Sequence, residues 1–418
     1  MNRVWLMVLA SLSAATVHAE AVAIVHATAW TLTSDQPTKD ATIVIDKGRI
    51  VAVAAGAAPP AGARVVDAGG RPVTPGLMHA ASQLGLIEVS SATETVDHSA
   101  KLAVPGAGFD IETAINQNSL LIQLARTDGL TRAVSYPGAS PVPPFGGMGV
   151  LLHLVEGGDM IERARVGVFA SVSGRTAAAS VGSRAAQWQL LRTALETAKA
   201  TLAAPATPAP RPPDVQALEP VLGGKIPLAI STNRESDLRE AVKLARDFNI
   251  RVVVIGAAQG WRVADELAAA KVAVILDPMA NLPISFDELG VRLDNAALLR
   301  KAGVTIAMAL QGVQGYNAGS SLREGAGLAV AHGLPYVEGL RSIISAPAQI
   351  WGVADRYGTI APGLDADLVV WDGDPLEPSS LATTVFIDGR EVPLVTHQSE
   401  LRDRYLPRVE AARAAGTQ

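Results

Sequence analysis

From Ile226 to Met308 the chain repeats one pattern: a short run of consecutive apolar residues, then a stretch with apolar residues at helical spacing. Ile226-Pro227-Leu228-Ala229-Ile230 precedes Ser236 to Phe248, and Arg251-Val252-Val253-Val254-Ile255 precedes Trp261 to Ala269. Val272-Ala273-Val274-Ile275-Leu276 comes next, and Ala296 to Lys301 leads into Val304-Thr305-Ile306-Ala307-Met308. A strand apolar at nearly every position is buried on both faces, as in a parallel sheet covered by its crossover helices. The pattern predicts an α/β protein built on a (β/α)8 TIM-like barrel. A doubly wound open sheet follows the same local rules and stands as the rival.

The two ends of the chain read differently. Ala23-Ile24-Val25-His26-Ala27 is a short strand, and Thr42-Ile43-Val44-Ile45, Asp46-Lys47-Gly48-Arg49 and Ile50-Val51-Ala52-Val53 form strand, turn and strand. A further strand spans Gly62 to Asp67, before Gly69-Gly70. At the far end Ala366-Asp367-Leu368-Val369-Val370-Trp371-Asp372 is a strand, and Val385-Phe386-Ile387-Asp388-Gly389-Arg390-Glu391-Val392 is strand, turn and strand. Isolated short strands are unstable, so both sets must find partners. The economical solution is a small composite β-sandwich, residues 20–73 with 357–418, carrying an inserted barrel at 74–356. Two segments interrupt the pattern: Ser140 to Gly149, rich in Pro and Gly, reads as an ordered loop over the barrel mouth, and Ala203 to Asp214 as an extended connector;.

Residues 1–19 carry a basic start, an apolar run from Val4 to Val17 and the small-x-small end Val17-His18-Ala19, and read as a signal peptide cleaved after Ala19;. Zero cysteine means no disulfide framework and no lipid-bearing Cys;. The expectation is a periplasmic protein that leaves the membrane once its signal is removed. A formal net charge of −5 disfavours nucleic acid as a partner;.

The C-terminal flank carries Ala346-Pro347-Ala348-Gln349-Ile350-Trp351-Gly352, then Gly358-Thr359-Ile360, then Pro362-Gly363-Leu364-Asp365-Ala366-Asp367-Leu368-Val369-Val370. Val73-Thr74-Pro75-Gly76-Leu77-Met78-His79-Ala80-Ala81-Ser82-Gln83 heads the insert. Together these resemble the amidohydrolase superfamily, in particular exported members related to imidazolonepropionase. The resemblance implies a metal-dependent hydrolase of carbon–nitrogen bonds other than ordinary peptide bonds, with ligands at the carboxyl ends of the barrel strands. It also implies which residues should be reactive, and this chain lacks them. The first-strand His-x-His pair falls on Ala81 and Gln83, and the preceding Asp falls on His79. Later ligand positions fall on Ser231, on Gly256 or a neighbour, and on Gln311 or a neighbour.

The residues alone argue the same way. A catalytic zinc takes about three protein ligands from His, Cys, Asp and Glu. There is no cysteine, and no histidine lies between His153 and His332. His26 and His397 fall in the flanks and His332 in a helix-like stretch before Gly333-Leu334-Pro335, which leaves His79, His98 and His153 for the barrel mouth. His79 reads either as a ligand or acid/base, or as a hydrogen-bonded polar group at a strand end. Glu88, Glu94, Asp97 and His98 read either as a rebuilt metal site or as a solvated loop. Pro144-Phe145-Gly146-Gly147-Met148-Gly149 lacks phosphate-loop spacing and reads as a lid or a turn beside a ligand;. Gln83, Asn233, Arg234, Gln259 and Gln311, with His79, are the candidate pocket residues. Such groups suit a small polar molecule better than a cation. The expected cofactor is none, or zinc if a rebuilt site exists. The expected functions are an amidohydrolase-like protein without conventional metal catalysis, or a non-catalytic binding or partner-subunit protein. A homodimer or a paralogous partner subunit is the assembly to look for.

Overall fold

The computed structural model describes residues 21–100, 106–139, 144–205, 208–310, 318–414 and 416. The signal segment, Ser140 to Pro143 and Gln311 therefore lie outside the described residues.

Both expected units are present. Strands from the two chain ends form one sheet, in the order Arg390–Glu391, Ala382–Ile387, Leu368–Trp371, Pro72–Pro75, Val22–Ala29, Thr38–Asp46 and Arg49–Ala55, with Arg64–Asp67 also paired to Val22–Ala29. The seam between the two ends is the antiparallel pair Leu368↔Pro75, Val369↔Thr74 and Val370↔Val73. Ile24, Ile43, Ile45, Leu368 and Phe386 fill a core of their own. Two tight turns pack against each other at its edge. Lys47-Gly48 and Asp388-Gly389 all have positive φ, and a Cβ on Gly389 would come within 2.9 Å of Gly48 Cα. Only residues without a side chain fit that approach.

The insert forms an eight-stranded barrel: β1 Leu77–Ser82, β2 Leu130–Ser135, β3 Phe145–His153, β4 Ile161–Ser171, β5 Leu228–Thr232, β6 Val252–Gly256, β7 Ala273–Leu276 and β8 Ile306–Met308. β8 comes back against β1, so the sheet nearly closes. Strands β4 to β8 run parallel, with register such as Ile230↔Val254 and Ile275↔Ala307. The helix Glu235–Phe248 between β5 and β6 buries Leu238, Ala241, Val242, Leu244 and Ala245 and stops at Asn249 in the left-handed region. Each large apolar side chain buried there contributes about 1.5–3 kcal/mol.

The first half departs from the simple repeat. β3 runs antiparallel to both β2 and β4. The connections 136–144 and 154–160 are too short for the dozen or more residues that a parallel crossover needs;. Residues 145–149, expected to belong to a loop, are the start of β3. Their glycines fit the strand to its neighbours: a Cβ on Gly149 would meet Phe169 Cε2 at 2.5 Å and the Ser135 carbonyl at 2.9 Å. The connector after Ala203 ends sooner than expected, since Pro213–Leu222 is a helix with proline at its first position;.

Candidate functional site

Inside the barrel the strands bury Met78, Val134, Val166, Phe169, Val253 and Ile275. The helix Ser345–Trp351 closes the amino-terminal end. Its Trp351 indole donates to the Ala80 carbonyl at 2.7 Å. Phe169 stacks on Trp351 with ring centroids 5.6 Å apart and on Tyr136 at 5.1 Å. This aromatic column occupies part of the barrel axis and forms the floor of the mouth. Burial pushes the Tyr136 phenol up to about 12, so it stays protonated at neutral pH;.

The mouth lies at the carboxyl ends of the parallel strands and has two lobes, each about 570 Å³. The first is lined by Gln83, His98, Tyr136, Gly138 and Phe169 among others. The second lies between the ends of β5–β7 and the segment after β7, with Asn233, Met279, Leu282 and Ile284 on its walls. Ser171, Arg175, Ser231 and Leu310 line both lobes. The volumes fall within the roughly 300–1,000 Å³ typical of small-molecule sites.

The candidate residues separate in space. Gln83 faces the first lobe. His79 is wholly buried and does not line either lobe. Its Nδ1 accepts from the Ala81 N–H at 3.3 Å, and its Nε2 has no hydrogen-bond partner among the described residues. Burial holds this imidazole down at about 4, neutral at physiological pH;. His98 lines the first lobe against Gly138, and burial lowers its pKa. Glu88 accepts from Asn116 Nδ2 at 2.9 Å, while Glu94 and Asp97 are exposed. His79, His98, Glu88 and Asp97 are thus not gathered around one point.

Asn233 lines the second lobe, but its amide is engaged. Its Nδ2 donates to Glu288 at 3.2 Å, and its Oδ1 accepts from the Ala258 N–H at 3.2 Å. Gln259 accepts from the Glu235 N–H at 3.0 Å, and Arg234 donates to Ser236 Oγ at 2.7 Å beside Asp237. Neither lines a lobe. They secure the loops after β5 and β6. Gln311 falls outside the described residues.

His153 is at the other end of the barrel, because β3 runs antiparallel. Its Nε2 is 3.1 Å from Asp367 Oδ1. There it joins a buried ionic network that composition and spacing did not reveal. Arg132, fully buried on β2, bonds Glu162 at 2.8 Å, Asp365 at 2.6 Å and also Asp367, and its guanidinium lies 4.4 Å from the Tyr357 ring centre. Burial opposes ionisation of Asp367, but Arg132 and His153 outweigh it and hold its pKa near about 2;. The carboxylates of the Pro-Gly-x-x-Ala-Asp motif therefore tie the terminal sheet to the barrel floor. The legible signal was an arginine inside an otherwise apolar strand, since a buried charge requires partners.

Zinc does not suit the residues at the expected ligand positions. Ala81 offers a methyl group, Gln83 a carboxamide and Ser231 a hydroxyl. Gly256 has φ +102°, and a Cβ there would collide with Asn233 Oδ1 and stand 3.2 Å from the Thr232 carbonyl. No side chain, histidine included, fits at that strand end without displacing Asn233. Among the described residues no three His, Asp or Glu side chains converge as a metal site.

The fold is an α/β barrel with a second sheet assembled from both termini. The family described as the amidohydrolase family matches residues 230–396. An amidohydrolase from Thermotoga maritima superimposes with a TM-score of 0.82 at 24% identity, over 89% of this chain and 99% of that one. An adenosine deaminase from Xanthomonas campestris with bound zinc gives 0.52 at 18% identity, over 93% of this chain and 98% of that one. A molinate hydrolase gives 0.54 at 17%, over 90% and 95%. At such identities these likenesses speak to the fold alone. The amidohydrolase tasK of Hapsidospora irregularis is 48% identical over 58 residues, which are 14% of this chain and 6% of that protein. The chain thus spans a small fraction of that relative's length. The family match thus covers the second half of the barrel and the C-terminal strands, and the solved structures share the fold of the whole chain. They do not bear on the imidazolonepropionase branch.

Proposed function

We propose that this chain is an amidohydrolase-family protein that binds a small molecule in the two-lobed mouth and does not carry out metal-dependent hydrolysis through the family's ligand positions. One observation carries the reading: the strand ends present Ala81, Gln83, Ser231 and Gly256, which offer no imidazole, carboxylate or thiolate;. The mouth itself is intact, concave, aromatic on its floor and lined by hydroxyl, amide and guanidinium groups. That is the composition of a ligand site.

The test is turnover of N-acyl amino acids and cyclic ureides by purified protein, with added zinc or manganese and with chelator. The reading expects no turnover above buffer in any condition. Metal-dependent turnover abolished by chelator would overturn it. Export with cleavage after Ala19, a periplasmic location, and a homodimer or partner-subunit assembly belong to the same proposal. The amino-terminal sequence of the exported protein and its mass in solution check them.

A further inference from the structure

We infer that the junction of the two lobes binds a carboxylate and that the second lobe takes the apolar chain attached to it, so the ligand is an amphiphilic carboxylic acid. The inference rests on the binding reading above and names the ligand class for that mouth.

The head-group site is built from three side chains. Ser171 ends β4, Ser231 is the last residue but one of β5, and the two stand directly opposite each other in the β4–β5 register. Both line both lobes, as does Arg175. The carboxylates that line the second lobe bond elsewhere: Asp277 accepts from the Met279 N–H at 2.9 Å. Asp287 pairs with Arg184 and accepts from the Gly174 N–H at 2.7 Å. Glu288 accepts from Asn233 and from the Ile284 N–H at 3.1 Å. Among the described residues Arg175 forms no ion pair, and it stands exposed at the junction of the lobes. One guanidinium fork and two hydroxyls that can turn to donate match a singly charged, planar anion.

The tail site is the second lobe. Ile255, Leu276, Pro278, Met279, Val291 and Leu310 supply apolar wall. The wall continues outward as a ridge: Leu282 is 76% exposed, Ile284 78% and Phe286 86%. Exposed apolar side chains clustered at a cavity rim mark a binding surface rather than ordinary surface scatter. Leu282 and Ile284 belong to both the ridge and the lobe, so a chain lying in the lobe would cover them. An apolar wall leading from a fixed cation selects a molecule with both ends.

The test is calorimetric titration of the full chain with decanoate, methyl decanoate and acetate, repeated on Arg175→Gln and Leu282→Asp, with thermal melts to confirm that both variants fold. Saturable binding of decanoate is expected. The ester, which lacks the charge, and acetate, which lacks the chain, should each bind roughly tenfold or more weakly. Both variants should weaken decanoate by a similar factor. Decanoate that fails to bind, an ester that binds as well, acetate that binds as tightly, or either folded variant binding unchanged would overturn the inference. Titrations with zinc and with chelator, assayed alongside for turnover, separate the two proposals. Metal-dependent turnover counts against the functional reading alone, and loss of the decanoate–ester difference counts against the ligand class alone.

Discussion

Replacing Arg132 by methionine should destabilise the protein severely, although Arg132 is remote from the mouth. The side chain is fully buried and faces Glu162, Asp365 and Asp367. Arg356 remains 3.2 Å from Glu162 and 3.1 Å from Asp365, and Arg49 also reaches Asp365. Among the described residues Asp367 keeps only His153 and the Asp388 N–H, at 3.0 Å and 2.9 Å. Removing one partner from a buried ionic cluster costs about 3–5 kcal/mol. At roughly 2 °C per kcal/mol for a large domain, the melting midpoint should fall by about 6–10 °C at neutral pH. The network also has a pH signature. Asp367 ionises near about 2 in the folded protein, against a reference of 3.8. Its depressed value adds stability that is present above the unfolded pKa and is lost as pH falls through the folded one, about 2.5 kcal/mol in all. Thermal melts from pH 5 down to pH 2 should show this loss in the native protein and a smaller one in Asp367→Asn. A melting midpoint for Arg132→Met within about a degree of the native protein would refute the reasoning.

Three further outcomes follow from single contacts. Gly256→Ala should cost about 1–3 kcal/mol in urea unfolding, because it combines a φ of +102° with a collision against Asn233;. A neutral result there would mean that the strand end can accept a ligand side chain. Trp351→Ala should cost about 3–5 kcal/mol, since it empties the barrel floor and removes the bond to the Ala80 carbonyl;. His79 binds its proton near about 4 when folded and near its reference of 6.5 when unfolded. The unfolded chain therefore gains protons first as pH falls from 6.5 to 4, and stability should drop by about 3 kcal/mol across that window. His79→Leu should flatten the drop, and an imidazolium signal for His79 at pH 6 in the folded state would contradict it.

The sequence was most legible where local pattern and tertiary role coincide. β5 to β8 are apolar at nearly every position because helices cover one face and the barrel interior the other, so the strand and helix runs could be read directly. β3 could not be read so. Its glycines carry the usual mark of a loop, yet they serve to let Phe169 and the β2 backbone approach;. That misplaced strand also put His153 at the wrong end of the barrel. Asn233 and Gln259 lie near the mouth in sequence but spend their amides on loop backbone, and nothing in spacing distinguishes such a role from ligand binding. Arg175 could not be picked out in the same way, because nothing in a Ser-Gly-Arg helix start shows that no carboxylate among the described residues pairs with it.

The central claim is that the mouth of this barrel is not a metal centre. It is tested most directly by metal content, using mass spectrometry with an inductively coupled plasma source on mature, untagged protein dialysed against metal-free buffer. The account predicts folded protein with far less than one zinc, iron or manganese per chain, and no gain after zinc is offered and excess removed. About one tightly held metal per chain, retained through dialysis by the native protein, would contradict it.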